Sequence, residues 1–214
     1  VDISNAKTTS LLGNEPSILP ENYYYRIGGY NHELREVSID AQHCTSVAKY
    51  ENILVVGSPG SENNKGVVDI YEIKTNTWIK TSTITANERN DNDIFGSSVS
   101  IFNSYIVVGS PGFNSKRGCI YIFHYDGYMW KQIHHITLPN DDEFGRAEFG
   151  NCVKIYENYI AAGTGDKYRS EGFVKIYKLQ NEEWYEYQHL TASNGFDRNM
   201  FGLTFDMNIN TLVI

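Results

Sequence analysis

Three landmarks recur in step along this chain, and that recurrence constrains the fold more than any other feature. Gly57, Gly109 and Gly163 form one series, Gly66, Gly118 and Gly172 a second, and Trp78, Trp130 and Trp184 a third. Each series advances by 52 residues (109 − 57) and then by 54 (163 − 109). Independent landmarks moving together mark one structural unit copied along the sequence. Within a unit, two short apolar runs lead to a Gly-Ser-Pro turn (Gly57 to Pro59, Gly109 to Pro111). A third run then opens at the second glycine and a fourth at the tryptophan. In the third run Val68/Ile70, Ile120/Ile122 and Val174/Ile176 alternate with Asp69, Tyr121 and Lys175, which predicts a strand with one packed face and one mixed face. Ile84, Ile136 and Leu190, six residues after each tryptophan, are expected to close the fourth strand. No window has useful helical periodicity.

Units of about 50 residues with four short strands predict an all-β fold, a β-propeller of four-stranded antiparallel blades. The reading along the chain is an arm or loop over 1–22, outer strands of a partial blade over 23–41, and blades over 42–94, 95–148 and 149–200. Inner strands of a further blade follow over 201–214. The 23–41 segment holds two runs meeting at Gly28-Gly29, with Leu34 near the tryptophan position. Val1 is not Met, and the chain stops at Ile214 where a Gly-Ser-Pro would be due. The expectation is therefore a piece of a larger ring, against the alternative that the two ends pair and close four blades.

Bulk properties narrow the function. With 26 acidic against 18 basic residues the formal net charge is −8, which argues against a phosphate backbone as partner. No apolar run reaches the roughly 20 residues of a membrane helix. Cys44, Cys119 and Cys152 occupy different repeat positions and predict buried thiols rather than a disulfide framework. No asparagine begins an N-x-Ser/Thr acceptor.

Phe95-Gly96 followed by Val107-Val108-Gly109-Ser110-Pro111 resembles the FG-GAP repeat, and His189 to Gly202 follows the linker text of its bacterial-type blade. Phe149-Gly150 with Gly163-Thr164-Gly165 carries the motif again, Phe201-Gly202 begins another copy, and His43-Cys44 replaces Phe-Gly in the first unit. The resemblance, covering about residues 42–214, implies a propeller like that of the integrin α-chain head, usually of seven blades. It also implies a non-enzymatic binding or scaffolding role toward protein partners at a cell or particle surface. Integrin-type blades commonly hold calcium in an Asp-x-Asp-x-Asp-Gly loop between their first two strands. Here that connection is a tight turn such as Phe102-Asn103-Ser104-Tyr105, too short for six or more oxygens. Asp206-x-Asn208-x-Asn210 echoes the spacing, but Thr211 takes the place of the glycine.

The remaining candidates each have an ordinary reading. Acidic linkers place Asp91 and Asp93, then Asp141 and Asp142, then Asp197 in loops where oxygen ligands could hold calcium. Solvated loops explain them equally, and no cofactor is expected. His134 and His135 are adjacent in a strand and point to opposite faces, so they cannot share one ion. His135 and His189 share a repeat position on different blades, and His43 fills the Phe slot. Trp78, Trp130 and Trp184 could stack sugars, which keeps a carbohydrate-binding propeller open as an alternative; their periodicity favours packing. Tyr125, Tyr128, Tyr185 and Tyr187 are candidate contacts for a protein partner. Ser58 and Ser110 sit in repeated turns, so neither is expected to be a nucleophile. The enzyme alternative is a propeller whose catalytic residues lie elsewhere.

Overall fold

The computed structural model describes residues 23–27, 35–39, 44–75, 77–139, 145–165, 172–193, 200–208 and 210–214. The 1–22 arm, Gly28-Gly29, Leu34, His43, Asp141, Asp142 and Asp197 lie outside them. The chain divides into units 1–40 and 41–214. In the first, β1 (Tyr23–Ile27) and β2 (Arg35–Ile39) pair antiparallel, with Tyr23 opposite Ile39.

The second unit holds three four-stranded antiparallel sheets, each a meander in sequence order. The first blade comprises β3 (Ser46–Tyr50), β4 (Ile53–Ser58), β5 (Val67–Lys74) and β6 (Thr77–Ile84). The second comprises β7 (Ser98–Phe102), β8 (Tyr105–Ser110), β9 (Cys119–Tyr125) and β10 (Trp130–Thr137). The third comprises β11 (Cys152–Tyr156), β12 (Tyr159–Gly163), β13 (Val174–Gln180) and β14 (Glu183–Leu190). A last pair, β15 (Asp206–Met207) and β16 (Leu212–Val213), follows. The all-β, four-stranded architecture read from the repeat is thus the architecture of the chain. Short one-turn elements at Ser61–Asn64 and Phe113–Lys116 are not ordinary helices, because Glu62, Asn63, Asn114 and Ser115 are left-handed.

The core lies between blades. First strands of successive blades face one another, and Tyr50, Phe102 and Tyr156 form an aromatic file along them, with centroids 5.0 and 4.8 Å apart. One apolar cluster joins the first two blades around Phe95, Val55 and Ile106, and another joins the second and third around Phe149, Ile120 and Ile160. A third cluster carries the third blade onto Phe205 and Met207. Because both faces of an inner sheet meet a neighbour, the mixed face predicted for the third strand is buried as well. Asp69, Tyr121 and Lys175 are 7%, 1% and 6% exposed. Each has its own answer to that burial. Asp69 takes Lys80 at 2.7 Å and the Thr83 hydroxyl at 2.6 Å, Lys175 pairs with Glu186 at 2.8 Å, and the Tyr121 ring lies flat under His135. A buried charge left unpaired would be costly, so these outer-strand partners are obligatory companions.

The outer strands carry one feature that the spacing did not reveal. Register slips at Thr81, Ile133 and Tyr187 place a bulge in every fourth strand. A bulge twists an exposed edge away from further pairing.

Candidate functional site

The motif residues meet where one blade joins the next. Phe95 is fully buried against Tyr121 and Phe123, at centroid distances of 5.4 and 6.0 Å. Its backbone N–H donates to the Lys65 carbonyl of the preceding blade, as that of Phe149 donates to Arg117. Gly118 and Phe149 form an isolated parallel bridge, as do Gly172 and Phe201. Gly118 has φ +83, and a Cβ there would run into the Phe149 backbone. Gly109 faces the same constraint from its neighbour: a Cβ would collide with the Gly150 carbonyl and with Ser98 Oγ. Gly57 meets Gly96, and Gly163 meets Gly202, in the same way. Absence of a side chain is what lets two backbones touch at each junction.

Hydroxyls secure the contact. Ser46 Oγ donates to the Gly96 carbonyl and Ser98 Oγ to the Gly150 carbonyl, both at 2.8 Å. Gly96 N–H donates to the Gly109 carbonyl, and Gly150 N–H to that of Gly163, whereas in the first blade it is Thr45 that donates to Gly57. Pro59 and Pro111 are buried in their turns. Ser110, expected in the turn, is instead the last residue of β8, fully buried, and its hydroxyl donates to the Asp93 carbonyl at 2.7 Å.

Of the acidic linker candidates, two are described. Asp93 is buried, and its carboxylate accepts the Asn90 N–H at 2.7 Å, which folds the linker back on itself. Asp91 is exposed and 3.5 Å from Lys65. Among the described residues no three His, Cys, Asp or Glu side chains converge as a metal cluster. The β7–β8 and β3–β4 turns have two residues each. Asp206 pairs with Lys154 at 3.0 Å, and Asn208 Oδ1 caps the Asn210 and Thr211 N–H groups.

His135 is stacked on Tyr121 (4.5 Å, 8°) and edge-on to Phe113, while His189 packs edge-on to Phe173. The strand surface leaves an edge of His135 exposed, yet desolvation against those rings pushes its pKa below 6.5, against the weaker upward pull of Glu88 and Asp93. Burial likewise pushes the Cys119 and Tyr121 groups well above their ordinary values. Cys44, Cys119 and Cys152 are all free thiols.

The three tryptophans occupy one register position, opposite Ile73, Tyr125 and Leu179. Their surroundings differ in degree. Trp184 is 8% exposed and meets the Tyr105 ring of the preceding blade edge-on at 5.9 Å. Trp130 and Trp78 are half-buried. Trp130 packs on the cluster shared with the first blade and also lines an open groove of about 410 Å³.

Beyond Trp130, the β9–β10 tip presents Tyr128 at 91% and Met129 at 58% exposure, with Tyr125 beside them. The tip is held rigidly: Asp126 pairs with Lys131 and accepts the Tyr128 and Met129 N–H groups, each at 2.9 Å. Those bonds, led by the one from Lys131, hold the Asp126 carboxyl well below its usual range. Tyr185 and Tyr187 are exposed on β14, where Lys178 lies over the Tyr159 and Tyr187 rings.

Residues 78–123 match the family model described as FG-GAP repeat. The chain is 34% identical over 110 residues to integrin alpha-11 of Homo sapiens, an alignment covering 46% of this chain and 9% of that one. It is 31% identical to integrin alpha-11 of Mus musculus over the same length and shares. The chain thus spans about a tenth of those relatives. Among solved structures it is similar to an S. cerevisiae assembly of dbp5 with nup159 and gle1 (TM-score 0.44, 16% identity, 72% of this chain and 40% of that one). A Trypanosoma rangeli sialidase with sialic acid is also similar (TM-score 0.37, 13% identity, 79% and 34%). That match contains Phe95-Gly96, and the same contact of a Phe-Gly backbone against a strand-end glycine recurs downstream at Phe149-Gly150 and Phe201-Gly202.

Proposed function

We propose that the chain is part of a propeller that serves as a non-enzymatic protein-binding scaffold, in an extracellular or surface setting, with further blades completing the ring. The observation that carries this reading is the β9–β10 tip. Sister blades place Lys74-Thr75-Asn76-Thr77 and Gln180-Asn181-Glu182-Glu183 where the second blade has Asp126-Gly127-Tyr128-Met129. Tyrosine and methionine are enriched in interface cores, and a tip already locked by Asp126 loses little freedom on docking. The similarity to integrin alpha-11 over 110 residues supports the same reading. The polar groups that burial perturbs most strongly sit inside the blade packing, where they serve structure.

A photo-crosslinking residue placed at Tyr128 and, separately, at the equivalent Glu182 tests this. The expected result is a discrete protein adduct from position 128 only. The captured protein, once purified, should bind the wild-type chain and lose affinity with Tyr128→Ser. Equal crosslinking from both tips, or binding untouched by Tyr128→Ser, would remove the basis for the proposal.

A further inference from the structure

The groove at the junction of the first two blades has no role in the packing scheme. One wall is the end of β6 and its linker, Thr83 to Thr85 and Asn87; the other is the start of β10, Trp130 to Gln132. Its volume of about 410 Å³ falls at the lower end of small-ligand sites.

The lining is of mixed chemistry in a specific way. The Trp130 indole, with Ile84 and Phe123 behind it, provides an apolar face. Threonine hydroxyls and two carboxamides surround it, and no carboxylate lines it. Gln132 is fixed in place because its Oε1 accepts the Asn87 N–H across the junction at 2.9 Å. Its NH2 group has no partner among the described residues, so a donor is held ready beside the indole. The single ammonium, Lys131, is already neutralised by Asp126, which removes the usual attraction for an anion. An apolar guest would strand the carboxamides and hydroxyls without partners.

We infer that this groove binds a neutral pyranose, one or two sugar units of a glycan, with the C–H face of a ring on Trp130 and its hydroxyls toward Gln132, Asn87 and Thr85. A sugar is the common ligand that matches an apolar face and a polar edge at this size. The site is particular to this junction, since Trp184 at the next one is buried under Tyr105. It lies next to the protein-docking tip, joined to it by the Lys131–Asp126 pair, but its contact residues are different.

Saturation-transfer NMR of the intact chain with methyl glycosides of glucose, galactose, mannose and N-acetylglucosamine, at millimolar concentration, provides the test. At least one glycoside should receive saturation and quench Trp130 fluorescence. Trp130→Ala should weaken it at least about tenfold, the scale of a central aromatic contact. Gln132→Ala removes a surface carboxamide, leaves the fold intact by amide spectra, and should also weaken it severalfold. Tyr128→Ser should leave it unchanged. Absence of transfer to every glycoside, or binding that either groove variant leaves intact, would overturn the assignment.

Discussion

The two complete blade junctions use the same inner contact and finish it differently outside. At both, a glycine at the end of a second strand touches the Phe-Gly backbone of the following blade, and a serine hydroxyl closes the contact at 2.8 Å. At the outer column they diverge. Tyr105 covers Trp184 at the second junction, whereas the corresponding residue at the first is Ile53, and Trp130 keeps a face on the groove. The difference separates what the repeat needs, a backbone contact no side chain can enter, from what it leaves free to vary.

The tryptophans give the largest expected contrast. Trp184→Ala should cost about 3–5 kcal/mol, because a buried ring and its contacts are lost. Trp130→Ala should cost about 1–2 kcal/mol, since part of that ring already meets solvent. Urea denaturation of both variants measures this, and equal losses would mean the two junctions are energetically alike.

Next come the glycines, for which the junctions should agree. Gly57→Ala and Gly109→Ala each drive a methyl into a carbonyl of the next blade. A cost of about 3 kcal/mol is expected for both, as for overpacking against backbone that cannot yield. A tolerated alanine at either position would show that its junction is looser than the contact implies.

How much of this was legible follows the same division. The blade, its strand order and the glycine columns could be read because they repeat, and a repeat turns each residue into three observations. Exposure of Tyr128 was legible because it lies in a turn. The burial of Asp69 and Lys175 was not, because their compensating partners, Lys80 and Glu186, are different in each blade. The outer bulges left no signal because Thr81, Ile133 and Tyr187 share a position but no chemistry. The groove was illegible for a related reason. It depends on the Asn87–Gln132 bond, 45 residues apart, and on the space beside one tryptophan of three.

A smaller effect probes the Trp184 indole N–H, which is buried and has no hydrogen-bond partner among the described residues. Trp184→Phe loses ring volume but removes that unmet donor. The two should nearly cancel, leaving a change of no more than about 1.5 kcal/mol. A much larger loss in the same denaturation experiment would indicate that the N–H is satisfied in solution.

The smallest expected effect lies at the first junction and depends on pH. His135 is flanked by Tyr121 and Phe113, and desolvation there holds its folded pKa below 6.5, overcoming Glu88 and Asp93. Its unfolded value is about 6.5, so the unfolded chain binds the proton more readily. The contribution is fully present above about pH 6.5 and declines as pH falls through the folded pKa. The equivalent position in the first blade is Thr83, which has no proton to take up. The contact of His135 with Tyr121 inside the second blade should therefore weaken with acid, and Thr83 adds no such dependence in the first. The His135 ring titrated by NMR should have a midpoint below 6.5, and His135→Gln should flatten the stability slope between pH 6.5 and that midpoint. A midpoint above 6.5 would reverse the sign, because the two carboxylates would then outweigh the aromatic rings that enclose the imidazole.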